Sequence, residues 1–141
     1  MNGFRYEQAF RSLMKSQWLS PVAIQKLSVK KLHALLKHSY DNVPYYRSIF
    51  KERNLTPDDI KSTNDLPKLP ILTKKTIREN FNQLIALNFP RKNLIPNSTG
   101  GSTGQPLRFM DDPTSLRWVN TAVLRSFYWA GYRRFDKLVN V

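Results

Sequence analysis

The segment from Asn97 to Pro106 concentrates the residue types that bind anions. It reads Asn-Ser-Thr-Gly-Gly-Ser-Thr-Gly-Gln-Pro and contains three of the five glycines in the chain. Glycine lets the backbone approach a ligand closely, while successive peptide N–H groups and Ser or Thr hydroxyls converge on it as donors. The segment is therefore predicted to be an anion-binding loop, although Gly/Ser clusters also form plain hairpin turns.

Two common phosphate-binding motifs are absent from this loop. A Walker loop requires a lysine after its last glycine, whereas Gly104 is followed by Gln105 and Pro106. The Rossmann spacing Gly-x-Gly-x-x-Gly also fails, because the glycines stand at positions 100, 101 and 104 and no helix is predicted to start at the loop. The prediction is therefore an anion loop without lysine, placed between two strands.

The elements around the loop are predicted from turn signals and apolar spacing. Residues 93–98 read as a short strand entering the loop, and residues 106–110 as a strand leaving it, with alternating exposure. An Asp-Pro pair then starts a long helix over residues 113–130, and residues 136–141 resemble the opening of a buried strand. The apolar face of the long helix comprises Leu116, Val119, Val123, Phe127 and Ala130.

The first 81 residues are predicted to be mainly helical, so the fold class is α+β. Helices are expected over residues 4–17, from Pro21 for about 18 residues, from Tyr45 to Asn54, and from Thr73 to Phe81. The helix from Pro21 is the clearest, because its apolar residues recur on one face at helical spacing and predict contact with a core. That face comprises Ile24, Leu27, Leu32, Leu35 and Leu36.

Composition and length narrow the class of protein. The 141 residues are 40% apolar and 23% charged, which is typical of a globular chain with one core. The absence of cysteine excludes disulfides, thiolate catalysis and cysteine-ligated metals. No apolar run approaches the roughly 20 residues that span a bilayer, and the N-terminus lacks the apolar core of a signal peptide. We therefore expect a soluble, unexported, cytoplasmic protein.

The net charge of +13 is compatible with a polyanionic partner such as nucleic acid. The basic excess declines gradually along the chain, however, and its densest cluster, Lys74 and Lys75 with Arg78, is small. A solvated surface with an anionic small ligand is therefore favoured, and no nucleic-acid partner is expected.

Several segments resemble the adenylate-forming enzymes, the superfamily of acyl-CoA synthetases. The loop from Thr99 to Leu107 is similar to their Ser/Thr-Ser/Thr-Gly-Ser/Thr-Thr-Gly-x-Pro signature. Upstream segments resemble the phenylacetate-CoA ligase branch, which includes homologues associated with capsule polysaccharide synthesis. These segments run from Asn42 to Arg47, from Leu66 to Lys74 and from Ile77 to Phe81.

The resemblance implies a two-step reaction. A carboxylate attacks the α-phosphate of ATP to give an acyl-AMP and pyrophosphate, and a thiol such as CoA then takes the acyl group. It also implies that the loop closes over the β- and γ-phosphates of ATP with Mg²⁺ present. The matched hydroxyl residues and glycines are Thr99, Gly100, Gly101, Ser102, Thr103 and Gly104. Gly100 stands where the family usually has a hydroxyl residue, so one donor is lost there.

The resemblance also implies that the chain is an N-terminal fragment of such a ligase. Family members run to several hundred residues, and their parts that bind adenine and ribose, hold Mg²⁺ and supply a catalytic lysine have no counterpart here. Residues 1–141 are thus expected to form a partial N-terminal domain, with 1–81 mainly helical and 93–141 opening the β-containing core. No catalytic residue or metal ligand is assigned, and the chain alone is expected to be inactive.

Two other classes of function stay open. A standalone basic module would bind nucleic acid or another polyanion, and its affinity would fall steeply with salt. A non-catalytic helical interaction protein would use the glycine-rich segment only as a turn.

Overall fold

The structure is a computed structural model that describes residues 2–100, 104–133 and 135–137. The α-helices are α1 (Asn2–Ser16), α2 (Pro21–Asn42), α3 (Pro44–Glu52), α4 (Lys74–Glu79) and α5 (Pro113–Trp129). Two strands, β1 (Ile95–Ser98) and β2 (Arg108–Asp111), pair antiparallel. Short 3₁₀ turns cover Pro57–Asp59, Thr63–Lys68 and Arg91–Asn93. The predicted α+β class, with a strand-loop-strand unit and a long helix after a helix-rich part, is confirmed.

The chain divides into two compact units, and one of them combines the first and last parts of the sequence. One unit joins Met1–Ser20 to Pro113–Val141, and the other comprises Pro21–Asp112. The strand-loop-strand segment therefore belongs to the second unit together with α2, α3 and α4. The predicted assignment of the whole chain to one partial ligase domain stays a prediction.

The first unit is a pair of helices, α1 and α5. The ring of Phe10 meets the ring of Tyr128 edge to face, with 4.8 Å between the ring centroids. Ala9 and Thr121 are buried, and the Thr121 hydroxyl donates to the Arg117 carbonyl oxygen at 2.6 Å. This bond satisfies the polar group that burial removes from water.

The core of the second unit lies where α3 and the first 3₁₀ turn pack on α2. Leu36, Phe50 and Ile60 are almost fully buried there. The partly buried side chains around them are Leu32, Tyr40, Tyr46, Leu55 and Leu69. A short extended break at Val43 and a first-turn proline separate α2 from α3, which lets two helices of one segment fold back on each other.

Helix α2 is longer than predicted, and only part of its apolar stripe meets a core. It spans 22 residues. Leu36 is buried and Leu32 packs beside it, whereas Ile24 and Leu35 remain 46% and 61% exposed. The expectation of a wholly core-facing stripe was therefore wrong for these two residues, because α3 and the first 3₁₀ turn cover only one side of the helix.

The two strands predicted beside the loop are present, whereas the strand predicted over residues 136–141 is not found at its described positions. The strands at 95–98 and 108–111 agree with the expected positions to within about two residues. Asp136 and Lys137 are not in a strand. The rest of the predicted last strand, residues 138–141, lies outside the described residues.

Candidate functional site

The loop projects from a hairpin whose ladder is extended by a threonine side chain. In the strand register Ser98 lies opposite Arg108, and Ile95 opposite Asp111. Beyond the last strand pair, the Thr99 N–H donates to the Leu107 carbonyl oxygen at 3.0 Å. The Leu107 N–H in turn donates to the Thr99 hydroxyl oxygen at 3.1 Å. These two bonds fix the mouth of the loop.

The predicted site residues divide into described and undescribed positions. Thr99, Gly100 and Gly104 are described, and all three are exposed. Residues Gly101, Ser102 and Thr103 lie outside the described residues. The expectation that all six contact a phosphate therefore stays a prediction.

The described glycines suit a close approach to a ligand. Gly104 has a φ of +153°, a backbone conformation that side-chain-bearing residues rarely adopt. At Gly100, no atom of a described residue beyond its chain neighbours lies within 4 Å of the position that a Cβ would occupy. Beyond their chain neighbours, no described residue therefore covers the backbone at either glycine.

Arg78 contacts the loop from a different element, and sequence reasoning missed it as a site residue. Its Nη2 atom donates to the Gln105 carbonyl oxygen at 2.8 Å, across 27 positions of sequence. Arg78 lies near the end of α4, a six-residue helix whose first turn is capped by the Thr73 hydroxyl. The sequence signals were its place in the small basic cluster with Lys74 and Lys75 and in the segment 77–81, which resembles the phenylacetate-CoA ligase branch.

An apolar cavity of about 320 Å³ adjoins the hairpin within the second unit. Side chains from α2, α4 and β2 line it, and His38, Arg108 and Asp112 are its ionisable members. His38 also meets the Phe89 ring edge to face, with the centroids 6.2 Å apart. A cavity of this size and lining is suited to a small, mainly apolar molecule.

Two carboxyl groups with lowered pKa values, Asp59 and Asp65, belong to the 3₁₀ turns. The side-chain hydrogen bond from Thr56 holds the pKa of Asp59 below its ordinary value. The side-chain hydrogen bond from Lys68 does the same for the pKa of Asp65. Burial, and then the neighbouring Tyr45, raise the pKa of the Tyr46 phenol. These shifts record local structural contacts in the second unit.

Within residues 2–100, 104–133 and 135–137, no three His, Cys, Asp or Glu side chains cluster in a way that could hold a metal ion. None of the helices in the described part of the chain is long and apolar enough to cross a bilayer.

Comparison with known proteins finds phenylacetate-coenzyme A ligases. The chain is 33% identical to the one from Pseudomonas putida over 137 residues, which cover 94% of this chain and 30% of the relative. The ligase from Escherichia coli (strain K12) is 32% identical over 117 residues, covering 82% of this chain and 26% of the relative. The chain thus spans less than a third of the length of these curated relatives. No family model matches the chain.

A solved structure shares the fold. The crystal structure of 2-hydroxyisobutyryl-CoA ligase in complex with 2-HIB-AMP and CoA superposes with a TM-score of 0.68 at 22% sequence identity. The match covers 84% of this chain and 26% of that chain. The chain is therefore homologous to part of the phenylacetate-CoA ligases, and this homology, together with the shared fold, supports its placement in the adenylate-forming family.

Proposed function

We propose that the chain is an N-terminal segment of an ATP-dependent, carboxylate-activating ligase of the phenylacetate-CoA ligase type. The observation that carries the proposal is the loop of glycine, serine and threonine on a hairpin whose mouth is fixed at Thr99 and Leu107. Such a loop presents hydroxyl and peptide donors from a rigid base, which suits a polyphosphate. Homology to named coenzyme A ligases supplies the reaction class.

The proposed role of the loop is electrostatic. Negative charge grows on pyrophosphate as the carboxylate displaces it from ATP, and donors oriented in advance stabilise that charge without reorganising. Hydroxyl donors would come from Thr99, Ser102 and Thr103. Backbone N–H donors would come from Gly100, Gly101 and Gly104.

The proposed ligands of the whole enzyme are ATP with Mg²⁺, a carboxylic acid and CoA. The related solved structure is named with 2-HIB-AMP and CoA, an acyl-AMP and a thiol of the kinds that the two proposed steps form and use. The donors at the described end of the loop fit phosphate oxygens, whereas Mg²⁺ is assigned to no residue of this chain. A cytoplasmic location and the capsule-related branch of the family belong to the same proposal.

Titration of ATP with Mg²⁺ into the chain, followed by calorimetry, tests the loop. Hydrogen bonds to a charged group each contribute about 1.5–3 kcal/mol, so Ser102→Ala and Thr103→Ala should each weaken binding about tenfold. Ser28→Ala is the matched control, because Ser28 is an exposed serine outside the loop. Equal affinity of the wild-type chain and Thr103→Ala would exclude the phosphate role.

Pyrophosphate release tests whether the chain is active alone, and the salt dependence of binding tests whether it binds polyanions nonspecifically. The chain alone should release no pyrophosphate from ATP in response to a carboxylate, and release above the Thr103→Ala background would show that it is active by itself. Polyanion binding of a nonspecific kind would instead show equal affinity for all loop variants and a steep fall with salt.

A further inference from the structure

A groove beside the loop carries two arginines and no carboxylate among its lining residues. It has a volume of about 660 Å³ and belongs to the second unit. Its lining comprises Arg78, Phe81, Ser98, Gln105, Pro106 and Arg108. All six of these residues are described, and both positive charges among them belong to arginines outside residues 99–104.

Arg78 is held at one side of this groove. Its Nη2 atom donates to the Gln105 carbonyl oxygen at 2.8 Å. A guanidinium group has five N–H donors, so this bond leaves most of its hydrogen-bonding capacity for a ligand. The acidic residue nearest in sequence, Glu79, pairs with Lys75 instead, with 3.9 Å between Nζ and Oε1. The positive charge of Arg78 is therefore not neutralised within its own helix.

Arg108 supplies the second charge from β2. It is exposed and lies opposite Ser98 in the strand register. Directly opposite residues of an antiparallel pair share a face, so the Arg108 guanidinium and the Ser98 hydroxyl belong to one surface. The Arg108 side chain makes no hydrogen bond or ion pair with any residue that the structure describes. Among the described residues, nothing therefore occupies its five guanidinium N–H donors.

We propose that Arg78, Arg108 and Ser98 form a diphosphate subsite next to the loop. Planar guanidinium groups bind phosphate through two parallel hydrogen bonds, which gives both affinity and orientation. Two such groups and a hydroxyl exceed the needs of one carboxylate and match an anion with two linked phosphates. The assignment of this anion as the pyrophosphate leaving ATP rests on the proposed function, whereas the subsite itself does not.

Calorimetric titration of inorganic pyrophosphate into the wild-type chain tests the subsite. Arg108→Gln and Arg78→Gln should each weaken binding about five- to tenfold, as the loss of a charge-assisted bond predicts. Arg91→Gln is the matched control, because it removes the same charge from an exposed arginine that bonds Asn82 instead. The control should leave the affinity within about twofold of the wild type.

Three outcomes overturn the subsite: no pyrophosphate binding by the wild-type chain, equal weakening by Arg91→Gln and Arg108→Gln, or no weakening by Arg108→Gln. Arg108→Gln breaks no bond within the described structure, so its effect is readable even where Arg78→Gln disturbs folding. Arg78→Lys, which retains the charge, should bind more tightly than Arg78→Gln. Binding that depends on Arg108 but not on Ser102 or Thr103 would retain the subsite and count against the proposed function.

Discussion

The Thr99 hydroxyl accepts one hydrogen bond through its oxygen and still has a proton to donate. Its oxygen accepts the Leu107 N–H at 3.1 Å and closes the hairpin. A hydroxyl has one donor besides its acceptor positions, so its own proton remains for another partner. Because the oxygen is already held, a phosphate reaching Thr99 would meet a donor with little rotational freedom left to lose.

Two aspartates make the stability of the second unit depend on pH in the acidic range. Asp59 accepts hydrogen bonds from the Thr56 backbone N–H at 2.8 Å and from its hydroxyl at 2.7 Å. Asp65 accepts from the Lys68 ammonium at 2.7 Å. These bonds lower both carboxyl pKa values below the ordinary 3.8. A carboxyl whose pKa is lower in the folded state stabilises that state when ionised.

The stabilisation from these aspartates should be complete above pH 3.8 and lost as the pH falls below it. We expect Asp59→Asn with Asp65→Asn to flatten the fall of the urea midpoint on acidification, relative to the wild type. Glu52→Gln is the control, since the Glu52 side chain is exposed and makes no hydrogen bond or ion pair with a described residue. An unchanged acid profile in the double variant would contradict the assignment.

At the scale of elements, the short helix α4 begins where a side chain accepts a free N–H group of the first turn. The Thr73 hydroxyl accepts from the Thr76 N–H at 3.1 Å and starts α4. Loss of such a cap costs about 1 kcal/mol of stability. Thr73→Ala should therefore lower the free energy of unfolding by about that amount in urea denaturation, while Thr73→Ser should retain it.

The consequence for the groove follows from the length of α4. A helix of six residues has little stability of its own, and it positions Arg78. Thr73→Ala should therefore weaken pyrophosphate binding as well as stability, with Thr73→Ser close to the wild type. A variant that unfolds more easily but binds equally well would show that Arg78 is held by its contact with Gln105 alone.

Local signals in the sequence predicted the elements that local chemistry controls. The helix predicted from Thr73 begins there, because the Thr73 hydroxyl and the N–H group from which it accepts lie only a few residues apart. The strands beside the loop were predicted by their alternation. The bond between Arg78 and Gln105 joins residues 27 positions apart, and no local pattern encodes it. The groove arginines therefore emerged only from the fold.

At the scale of the whole molecule, the apolar face predicted for α5 is largely open to solvent. Val119 and Val123 remain 57% and 46% exposed, and Phe127 also keeps much of its surface in water. The helix meets α1 through a different side, where Thr121 is buried and Tyr128 meets Phe10. The spacing of apolar residues predicted the helix correctly, but it could not specify which side would have a partner.

An open apolar face of this kind promotes association between molecules. Val119→Glu with Val123→Lys should reduce self-association in sedimentation experiments, keep the net charge, and add a favourable pair at i and i+4. Stability should change by no more than about 0.5 kcal/mol, as for surface substitutions. Ala9→Asp is the contrasting variant, since it places a charge at a buried position and should cost roughly 2 kcal/mol or more.

The pairing of α1 with α5 has a consequence for synthesis of the chain. The Arg125 guanidinium donates to the Leu13 carbonyl oxygen across 112 positions, so the first helix leaves the ribosome long before its partner is translated. At about 5–20 residues per second this delay is roughly 6–22 s. The unit Pro21–Asp112 is translated within that interval. The hairpin can therefore form on the nascent chain before α5 is available to pair with α1.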